Sequence, residues 1–353
     1  MTVEEELSAA FAQHEPLTPP AGPLRAAIDR KVAGRRRRRR KLRVGAVALA
    51  VLGLLGFAVP QLTPYRPARE AALLPGRVAA APTGAVNVLV LGLDGSATEE
   101  RPRFADSVLL VHVPADRSRP YLVSLPRDME VPIPGHGTGK LNSAFRYGAG
   151  QGRPDLAGGY ELTRRTVSDL TGVRVDAGAV LTYPVLRKLT DALDGVEVCL
   201  PRAVSSRHTS RVFPAGCQRL DGAASVDLLR QRQGLPDGAL DRDRTAQLVV
   251  AGLVRGAVDQ GVLTSPARLS RILTAVGPDV TVAGASLLEL VQLAPELKSV
   301  EPVGLGLPVS PQPDQGWRLR PDPEDAPAFF AALRADRLAE WTAGHPDRVT
   351  RLR

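Results

Sequence analysis

The chain has 353 residues, of which 44% are hydrophobic and 24% are charged, a globular composition that argues against wholesale disorder. Only 4% of the residues are aromatic, which argues against a protein that stacks bases or sugars on many rings. The formal net charge is +9, but residues 1–43 contain 11 Lys and Arg and 5 Asp and Glu and hold +6 of it. The basicity is therefore one local cluster and does not predict a nucleic-acid-binding domain.

A strongly apolar stretch follows this basic cluster. The arginines Arg35–Arg40 precede Val44–Val59, a run of 16 residues without a charged or polar side chain. With the few residues after it, the run reaches the roughly 17–25 residues of a membrane-spanning helix, and we predict a transmembrane anchor over 44–62. The alternatives are a cleaved signal peptide and a buried core helix. The 43 residues before the run, the lack of a clear small-residue cleavage site and the dense basic flank argue against them.

The anchor predicts the topology of the chain. Because positive charge stays on the cytoplasmic side of a membrane, residues 1–43 are expected to be a short cytoplasmic tail whose arginines contact membrane lipid. The Pro-rich residues 63–84 are expected to be a linker outside the cell. Residues 85–353 are then one extracellular domain, with a peripheral end from about residue 300.

The cysteines and histidines exclude some kinds of site. Cys199 and Cys217 both lie in the outer domain, where an even cysteine count in an oxidising compartment predicts one disulfide. Two cysteines without partners at metal-ligand spacing do not form a zinc site. The five histidines are scattered and no G-x-S-x-G pattern is present, so a Ser/His or Cys/His hydrolase is disfavoured.

Predicted strands and helices alternate along the outer domain. Apolar runs rich in Val and Leu predict strands, and apolar residues at helical spacing predict helices. This alternation predicts an α/β fold with a central mixed sheet and helices on both faces. The predicted strands are 87–91, 108–113, 121–124, an edge strand at 129–133, 177–182 and 196–200. The predicted helices are 159–171, 183–193, 221–230, 244–258, 266–276, 286–298 and 326–341.

Polar residues collect where these elements end. Asp94 follows the first strand, Asp106 precedes the second, Arg127 follows the third, and a turn carries Lys140. Sites in α/β proteins form at the carboxyl ends of strands. Carboxylates with few other ligands suit Mg²⁺, and arginine side chains suit phosphate, so the set predicts a metal-assisted pyrophosphate site. Further candidates along the chain are Arg230, Arg232, Arg242 and Gln247.

Arg230 and Arg232 place a condition on the fold. Two residues apart on one straight helix, they would point in nearly opposite directions. Both reach one site only if the helix ends between them, which Gly234 and Pro236 favour.

Seven blocks of sequence, taken together and in this order, resemble the LytR-CpsA-Psr (LCP) family of cell-wall glycopolymer ligases. The resemblance covers about residues 85–260 behind a single N-terminal anchor, and the Ala-, Arg- and Gly-rich composition points to the actinobacterial type. Seven ordered blocks are far more specific than any one of them. The blocks are Val88–Asp94, Ala105–Leu110, Ser124–Asp128, Ile133–Pro134 with Lys140–Ala144, Asp194–Cys199, Leu220–Gly222 with Leu229–Arg232, and Asp241–Arg242 with Gln247.

The resemblance implies an enzyme that takes a glycopolymer carried on undecaprenyl pyrophosphate. It implies transfer of the polymer's sugar phosphate to a peptidoglycan hydroxyl, usually that of muramic acid at position 6. It also implies Mg²⁺ or Mn²⁺ held by Asp94 and Asp106. The residues implied to be catalytic are Asp106, Arg127, Arg232 and Arg242, and those implied to bind the pyrophosphate are Arg103, Lys140, Arg230 and Gln247.

The chain departs from the family pattern at three places. Ala239 stands where an acid is common, Ala246 replaces one of two paired glutamines, and Arg103 lies three residues before Asp106 instead of two. Two other functions stay open: a non-catalytic envelope protein that binds lipid-linked polymer, and a polyprenyl pyrophosphatase with water as acceptor. A membrane-bound transcriptional regulator is disfavoured, because the inner tail is too short for a DNA-reading domain. A teichoic acid, an arabinogalactan-like polymer and a capsule all remain open as the polymer.

Overall fold

The computed structural model describes most of the chain from residue 83 onward. The described residues are 83–94, 104–151, 154–232, 235–262, 265–276, 281–284, 301–312 and 318–352. The predicted cytoplasmic tail, the transmembrane anchor and the linker up to residue 82 lie outside them, as do Arg103 and the helix predicted at 286–298. Among the residues described, no helix has both the length and the apolar character needed to cross a membrane.

Strands and helices alternate through the described residues. The strands are β1 (Val86–Leu93), β2 (Ala105–Val113), β3 (Tyr121–Ser124), β4 (Glu130–Ile133), β5 (Gly137–Lys140), β6 (Ala177–Thr182), β7 (Val196–Leu200), β8 (Val204–Ser205), β9 (Val212–Phe213), β10 (Gly216–Leu220), β11 (Thr281–Gly284), β12 (Val303–Gly306), β13 (Val309–Gln312), β14 (Arg318–Pro321) and β15 (Val349–Thr350). The helices are α1 (Leu141–Ala149), α2 (Leu156–Thr171), α3 (Tyr183–Ala192), α4 (Gly222–Leu229), α5 (Ala239–Asp259), α6 (Pro266–Val276), α7 (Asp325–Arg334) and α8 (Leu338–Gly344).

A mixed sheet of seven strands forms the centre, in the order β11-β6-β1-β2-β3-β12-β15. β1 runs parallel to β6, and β3 runs parallel to β12. The other neighbouring pairs are antiparallel. The predicted α/β architecture with a mixed central sheet is confirmed.

Both faces of this sheet are buried, and the sequence of β1 shows why. Val86, Val88 and Val90 belong to one buried cluster, whereas Leu89 and Leu91 belong to another. Successive side chains of a strand point to opposite faces, so a strand covered on both sides needs an unbroken apolar run. Helices α3 to α6 contribute to the first cluster, and α1, α2, α7 and α8 contribute to the second. Helices therefore cover both faces, as predicted.

The boundaries of α2 show how a capping residue extends a helix. Apolar spacing predicts a helix from residue 159, but α2 begins at Leu156. The Asp155 carboxylate accepts hydrogen bonds from the backbone N–H groups of Ala157 and Gly158, which satisfies donors that have no partner within the helix. At the other end, Gly172 adopts φ 74° and ends the helix at the predicted position.

Three segments differ from the sequence prediction. Of residues 140–144, expected in a turn, Lys140 ends β5 and Leu141 begins the helix α1. The single helix predicted over 326–341 is two helices, because Asp336 between them adopts φ 57°, which an α-helix does not tolerate. Residues from 301 onward, expected at the periphery, supply β12 and β15 at one edge of the central sheet.

An antiparallel hairpin of β7 and β10 lies outside the central sheet. Cys199 and Cys217 stand directly opposite each other in its register and are joined by a disulfide. The predicted disulfide is therefore confirmed. Between the two cysteines, β8 and β9 form a second small hairpin with the connecting loop 206–211. We call this connection the β8–β9 loop.

Candidate active site

The carboxyl ends of β1, β3, β6 and β12 lie at the same edge of the central sheet. This follows from the pairing, because β1 and β6 are parallel neighbours, β3 and β12 are parallel neighbours, and β2 runs antiparallel between the two pairs. Asp94 directly follows β1, and Tyr183 begins the helix that follows β6. The predicted location at strand ends therefore brings together residues that are far apart in the sequence.

Asp106 is positioned by an irregularity in the β1–β2 pairing. Gly92 pairs with Ser107 and Leu93 pairs with Ala105, so Asp106 is the extra residue of a β-bulge. Its side chain is 11% exposed. One carboxylate oxygen accepts a hydrogen bond from Arg127 Nη1, and the other lies 3.4 Å from Arg232 Nη2. The carboxylate is thus paired with two guanidinium groups at the edge of the sheet.

A chain of ion pairs leads from Arg127 to Lys140. Arg127 Nε donates to Asp128 Oδ2 at 3.3 Å, and Lys140 Nζ donates to Asp128 Oδ1 at 3.0 Å. Partial burial raises the pKa of Asp128, but the hydrogen bond from Lys140 and the charge of Arg127 outweigh it and leave the pKa below its usual value. Asp128 therefore stays ionised and fixes the orientation of Arg127 next to Asp106.

The first turns of α5 bring a buried ion pair to this edge. Arg242 Nη2 lies 3.3 Å from Asp243 Oδ1, and their side chains are only 4% and 8% exposed. Arg242 Nη1 and Asp243 Oδ2 are buried without a hydrogen-bond partner among the described residues. Burial raises the pKa of the Asp243 carboxyl to about 6, although Arg242 lowers it. The pair therefore retains a donor and an acceptor that no described residue satisfies.

Gln247, predicted to support pyrophosphate binding, lies one turn further along α5 and is almost fully buried. Its Nε2 donates to Leu122 O, Ser124 Oγ and Leu305 O at 2.9, 2.9 and 2.7 Å. These acceptors belong to β3 and β12. The amide nitrogen of Gln247 is thus bonded to the sheet and not to the arginine cluster.

Arg230 and Arg232 meet the condition that the sequence placed on them. α4 ends at Leu229, one residue before Arg230. Both arginines then line one polar cavity of about 470 Å³, together with Asp94 and Tyr183. Burial first, and then the nearby positive charge of Arg127, lowers the pKa of Arg232. The cavity is therefore suited to an anion.

A narrow apolar cavity of about 70 Å³ opens beside the polar one. Asp106, Tyr183 and Arg242 line it together with apolar residues of β1, β2, β6 and the helices α3 to α5. Tyr183 lines both cavities. Burial, followed by the charges of Asp106 and Asp94, raises the pKa of its hydroxyl to about 12, so the phenol stays protonated. The apolar residues in the lining are Val90, Leu109, Leu181, Leu186, Leu229, Ala246, Val249 and Val250.

Two carboxylates at this edge have the chemistry of magnesium ligands. Among the described residues, no group of three or more His, Cys, Asp or Glu side chains is arranged to hold a metal ion. Mg²⁺ nevertheless binds proteins through one or two carboxylates and takes its other ligands from water and substrate phosphate. Asp94 is exposed, and the charges of Asp94 and Asp106 both act on Tyr183. This donor set fits a metal ion only when a phosphate ligand is present.

The structure brings most of the predicted site residues to one edge of the sheet, leaves Arg103 outside the described residues and bonds Gln247 into the sheet. Three residues were not singled out from the sequence: Tyr183, Arg207 and His208, which all line the polar cavity. For Tyr183 a signal was present, because it directly follows a strand at its carboxyl end. The residues brought together are Asp94, Asp106, Arg127, Lys140, Arg230, Arg232 and Arg242.

Comparison with known proteins adds a family and a fold. The model described as "LytR_cpsA_psr family" matches residues 66–307. "Cell wall biosynthesis protein LcpA" of Corynebacterium glutamicum is 35% identical over 202 residues, which are 53% of this chain and 39% of that protein. "Polyisoprenyl-teichoic acid--peptidoglycan teichoic acid transferase TagU" of Oceanobacillus iheyensis is 29% identical over 174 residues, which are 49% of this chain and 52% of that protein. The chain thus spans about half, or less, of the length of these curated relatives.

A solved structure, "TagT bound to LI-WTA", has a similar fold. It aligns with a TM-score of 0.56 and 21% sequence identity over 74% of this chain and 94% of that chain. At this identity the likeness shows a shared fold.

Proposed function

This chain belongs to the LytR_cpsA_psr family, and we propose on that premise that it is a phosphotransferase that moves a glycopolymer from undecaprenyl pyrophosphate to a peptidoglycan hydroxyl. The names of its relatives support this proposal. LcpA is named for cell wall biosynthesis, and TagU is named for transfer of teichoic acid from a polyisoprenyl carrier to peptidoglycan. The similar fold of TagT holds LI-WTA in its solved structure.

The position of three arginines at an apolar cavity carries the proposal. Arg242 lines the cavity, and Arg127 and Arg232 are bonded to Asp106, which lines it as well. A lipid pyrophosphate has an apolar chain and a charged head, and this arrangement offers a matching surface to each. Guanidinium groups bind phosphate oxygens through paired N–H donors.

The proposed reaction is a phosphoryl transfer. The acceptor hydroxyl oxygen forms a bond to the phosphorus that carries the polymer's terminal sugar, while the bond from that phosphorus to the bridging oxygen breaks. Undecaprenyl phosphate leaves, and the polymer is joined to peptidoglycan through a phosphodiester. The arginines position the phosphates and neutralise their charge, the main task in this class of reaction.

Asp106 links substrate binding to the handling of the proton. Its oxygens accept hydrogen bonds from Arg127 and Arg232, and phosphate oxygens compete for the same N–H groups. Binding of the pyrophosphate is therefore expected to release a carboxylate oxygen of Asp106. We propose this oxygen as the group that accepts the proton of the acceptor hydroxyl or binds the metal ion.

We propose Mg²⁺ or Mn²⁺ as the cofactor, with Asp94 and Asp106 as its protein ligands. The ion, when bound, would supply positive charge to the pyrophosphate. We further propose that the domain works on the outer side of the membrane, anchored by residues 44–62. The disulfide between Cys199 and Cys217 supports this location, because such bonds persist in oxidising compartments.

A transfer assay tests the proposal. The full chain in detergent is given a synthetic polyprenyl-pyrophosphate oligosaccharide and peptidoglycan fragments, with Mg²⁺ or with EDTA. Mass spectrometry follows the fragment and the released polyprenyl phosphate. We expect the sugar phosphate on the fragment with Mg²⁺ only, and its loss in Arg127→Ala. The matched control is Arg164→Ala, which removes an arginine of α2 that pairs with Glu161.

Other outcomes of this assay contradict the proposal. Release of sugar phosphate to water, with an unmodified fragment, would identify a pyrophosphatase. Lipid binding without any product would identify a non-catalytic polymer-binding protein. Equal activity in EDTA would exclude the metal ion as a required cofactor.

A further inference from the structure

A buried pair of side chains holds the β8–β9 loop against the end of α4. Asp227 and Gln231 are 6% and 1% exposed. Ser206 Oγ and Thr209 Oγ1 donate to the two Asp227 carboxylate oxygens at 2.7 and 2.6 Å. The backbone N–H of Arg207 donates to Gln231 Oε1 at 2.8 Å. Three of the loop's residues, Ser206, Arg207 and Thr209, are thus held by one short segment.

The same pair is internally bonded, which makes it a rigid unit. Gln231 Nε2 donates to Asp227 Oδ1 at 2.9 Å and to the Asp227 backbone carbonyl at 2.6 Å. Buried polar groups whose hydrogen bonds are satisfied define one geometry well. The loop is therefore held in one conformation by side chains, although its own residues are mostly exposed.

This anchoring places an arginine and a histidine at the polar cavity. Arg207 and His208 line it together with Arg230 and Arg232. Arg232 is bonded to Asp106, whereas Arg207 and Arg230 have no ion-pair partner within the described ranges. Asp94 is the acidic residue in the lining. Three arginines and a histidine against one carboxylate give the described lining of this cavity an excess of positive charge.

The alternation of Arg230, Gln231 and Arg232 gives this segment two functions. All three residues line the cavity, but the outer two are exposed, whereas the middle one is almost fully buried and bonded to the β8–β9 loop. The side chain that holds the backbone of Arg207 therefore lies between two arginines of the cavity lining.

We propose that the β8–β9 loop binds an oxyanionic group of the substrate next to the pyrophosphate. Arg207 and His208 contact this group, and Asp227 and Gln231 are positioning residues. The inference rests on the proposed function, because it assigns the loop to a substrate of the same site. The oxyanion comes either from a phosphodiester of the polymer or from a carboxylate of the acceptor peptide. Both present paired oxygens to a guanidinium group.

Binding experiments test the loop without requiring turnover. The full chain in detergent is titrated with four probes: inorganic pyrophosphate, a fluorescent glycerol phosphate oligomer, a muropeptide and a neutral oligosaccharide. In Arg207→Ala, we expect about tenfold weaker binding of the oligomer or of the muropeptide, the size of one charge-assisted hydrogen bond. Whichever of these two binds more weakly identifies the source of the oxyanion. Pyrophosphate binding is expected to change less than twofold.

Arg211→Ala is the matched control for charge. Arg211 belongs to the same loop, but it lies over the ring of Phe213 and does not line the cavity. We expect its removal to change binding of every probe less than twofold. Equal weakening by Arg207→Ala and Arg211→Ala would overturn the proposal, because it would show only a non-specific response to net charge.

Gln231→Leu tests the positioning role. This change keeps all arginines but removes the acceptor for the backbone N–H of Arg207. We therefore expect it to weaken binding of the anionic oligomer or muropeptide as Arg207→Ala does, and to leave pyrophosphate affinity unchanged. Gln231→Glu keeps an acceptor oxygen and is expected to recover part of the loss. If Gln231→Leu weakens pyrophosphate binding equally, the change disrupts the whole site, and the positioning role is overturned. If the wild type transfers the polymer and Arg207→Ala has no effect, the role of the loop is rejected and the proposed function stands. If Arg207→Ala changes binding but the wild type shows no transfer, the proposed function is rejected and the role of the loop stands.

Discussion

The two ends of the central sheet treat their buried polar groups differently. Near the amino end of β1, His112 bonds to Asn87 Oδ1 through one ring nitrogen and to Asp336 Oδ1 through the other, at 2.8 and 2.9 Å. Asp336 accepts a further bond from the backbone of Ala115, and Asn87 donates to Arg174 O. These polar groups find their partners within the protein.

At the carboxyl end, polar groups are left over. Arg242 Nη1 and Asp243 Oδ2 are buried without partners among the described residues, and Arg207 and Arg230 face a cavity without ion pairs there. Satisfied buried groups stabilise a fold, and unsatisfied ones mark places where a protein is prepared for a ligand. The comparison teaches that burial alone does not identify a site. Buried atoms without a partner in the described part of the chain also occur elsewhere, at Tyr160 Oη and Trp341 Nε1, so it is the position of Arg242 at a cavity that marks it as part of a site.

The largest expected effect is at the carboxyl end. Asp106→Asn keeps the shape of the side chain but removes the charge between Arg127 and Arg232, so we expect transfer to slow by about 10²–10³-fold. The thermal unfolding midpoint is also expected to fall, since the side chain of Arg127 is only 14% exposed and loses its charged partner. Transfer rate and unfolding are measured on the same preparation. A transfer rate within threefold of the wild-type rate would contradict the assignment of Asp106.

The opposite result is expected at the amino end. His112→Leu removes the shared partner of Asn87 and Asp336, so we expect the free energy of unfolding to fall by about 2–4 kcal/mol. Pyrophosphate affinity of the folded protein is expected to be unchanged. Urea denaturation measures the first and calorimetry the second. Replacement of the exposed His208 by Leu controls for the loss of an imidazole and should cost under about 0.5 kcal/mol.

The pH dependence of stability is expected to have opposite signs at the two ends. The raised pKa of Asp243 means that its contribution to stability is present below the ordinary value of 3.8 and is lost as the pH rises through about 6. The shift corresponds to at most about 3 kcal/mol. Burial lowers the pKa of His112 below 6.5 despite Asp336, so its contribution is present above 6.5 and is lost as the pH falls.

Two variants separate these contributions. The unfolding free energy is measured from about pH 4 to about pH 8 for the wild type and for Asp243→Asn. The stability of the wild type relative to this variant should decrease as the pH rises toward about 6. For His112→Leu, the relative stability of the wild type should increase as the pH rises to 6.5 and stay constant above it. A constant difference for Asp243→Asn would show that its carboxyl is not perturbed in the folded state.

Strands bounded by Gly or Pro were predictable from the sequence alone. Val196–Leu200 lies between Gly195 and Pro201 and agrees with its predicted ends. These residues restrict the backbone locally, so their effect needs no distant contact. The positions of Asp94, Asp106 and Arg127 at strand ends followed for the same reason.

Elements fixed by distant contacts were not predictable. α1 is short, and its packing depends on α2: a Cβ atom at Gly148 would lie 2.3 Å from Gly158 O, and Phe145 lies against Gly159. Arg207 gave no local signal, because its place depends on Gln231, 24 residues later. Apolar spacing along one segment contains no information about such pairings.

The amide of Gln247 has a consequence for how the chain assembles. It bonds to Leu122, 125 residues earlier, and to Leu305, 58 residues later. Contacts between such distant segments form slowly, because a long loop must close first. During synthesis, β3 therefore has an unpaired edge until the chain past Leu305 has emerged, and an unpaired strand edge invites aggregation. The last third of the chain, which supplies β11, β12 and β15, thus completes a sheet whose strands β1, β2, β3 and β6 were made long before.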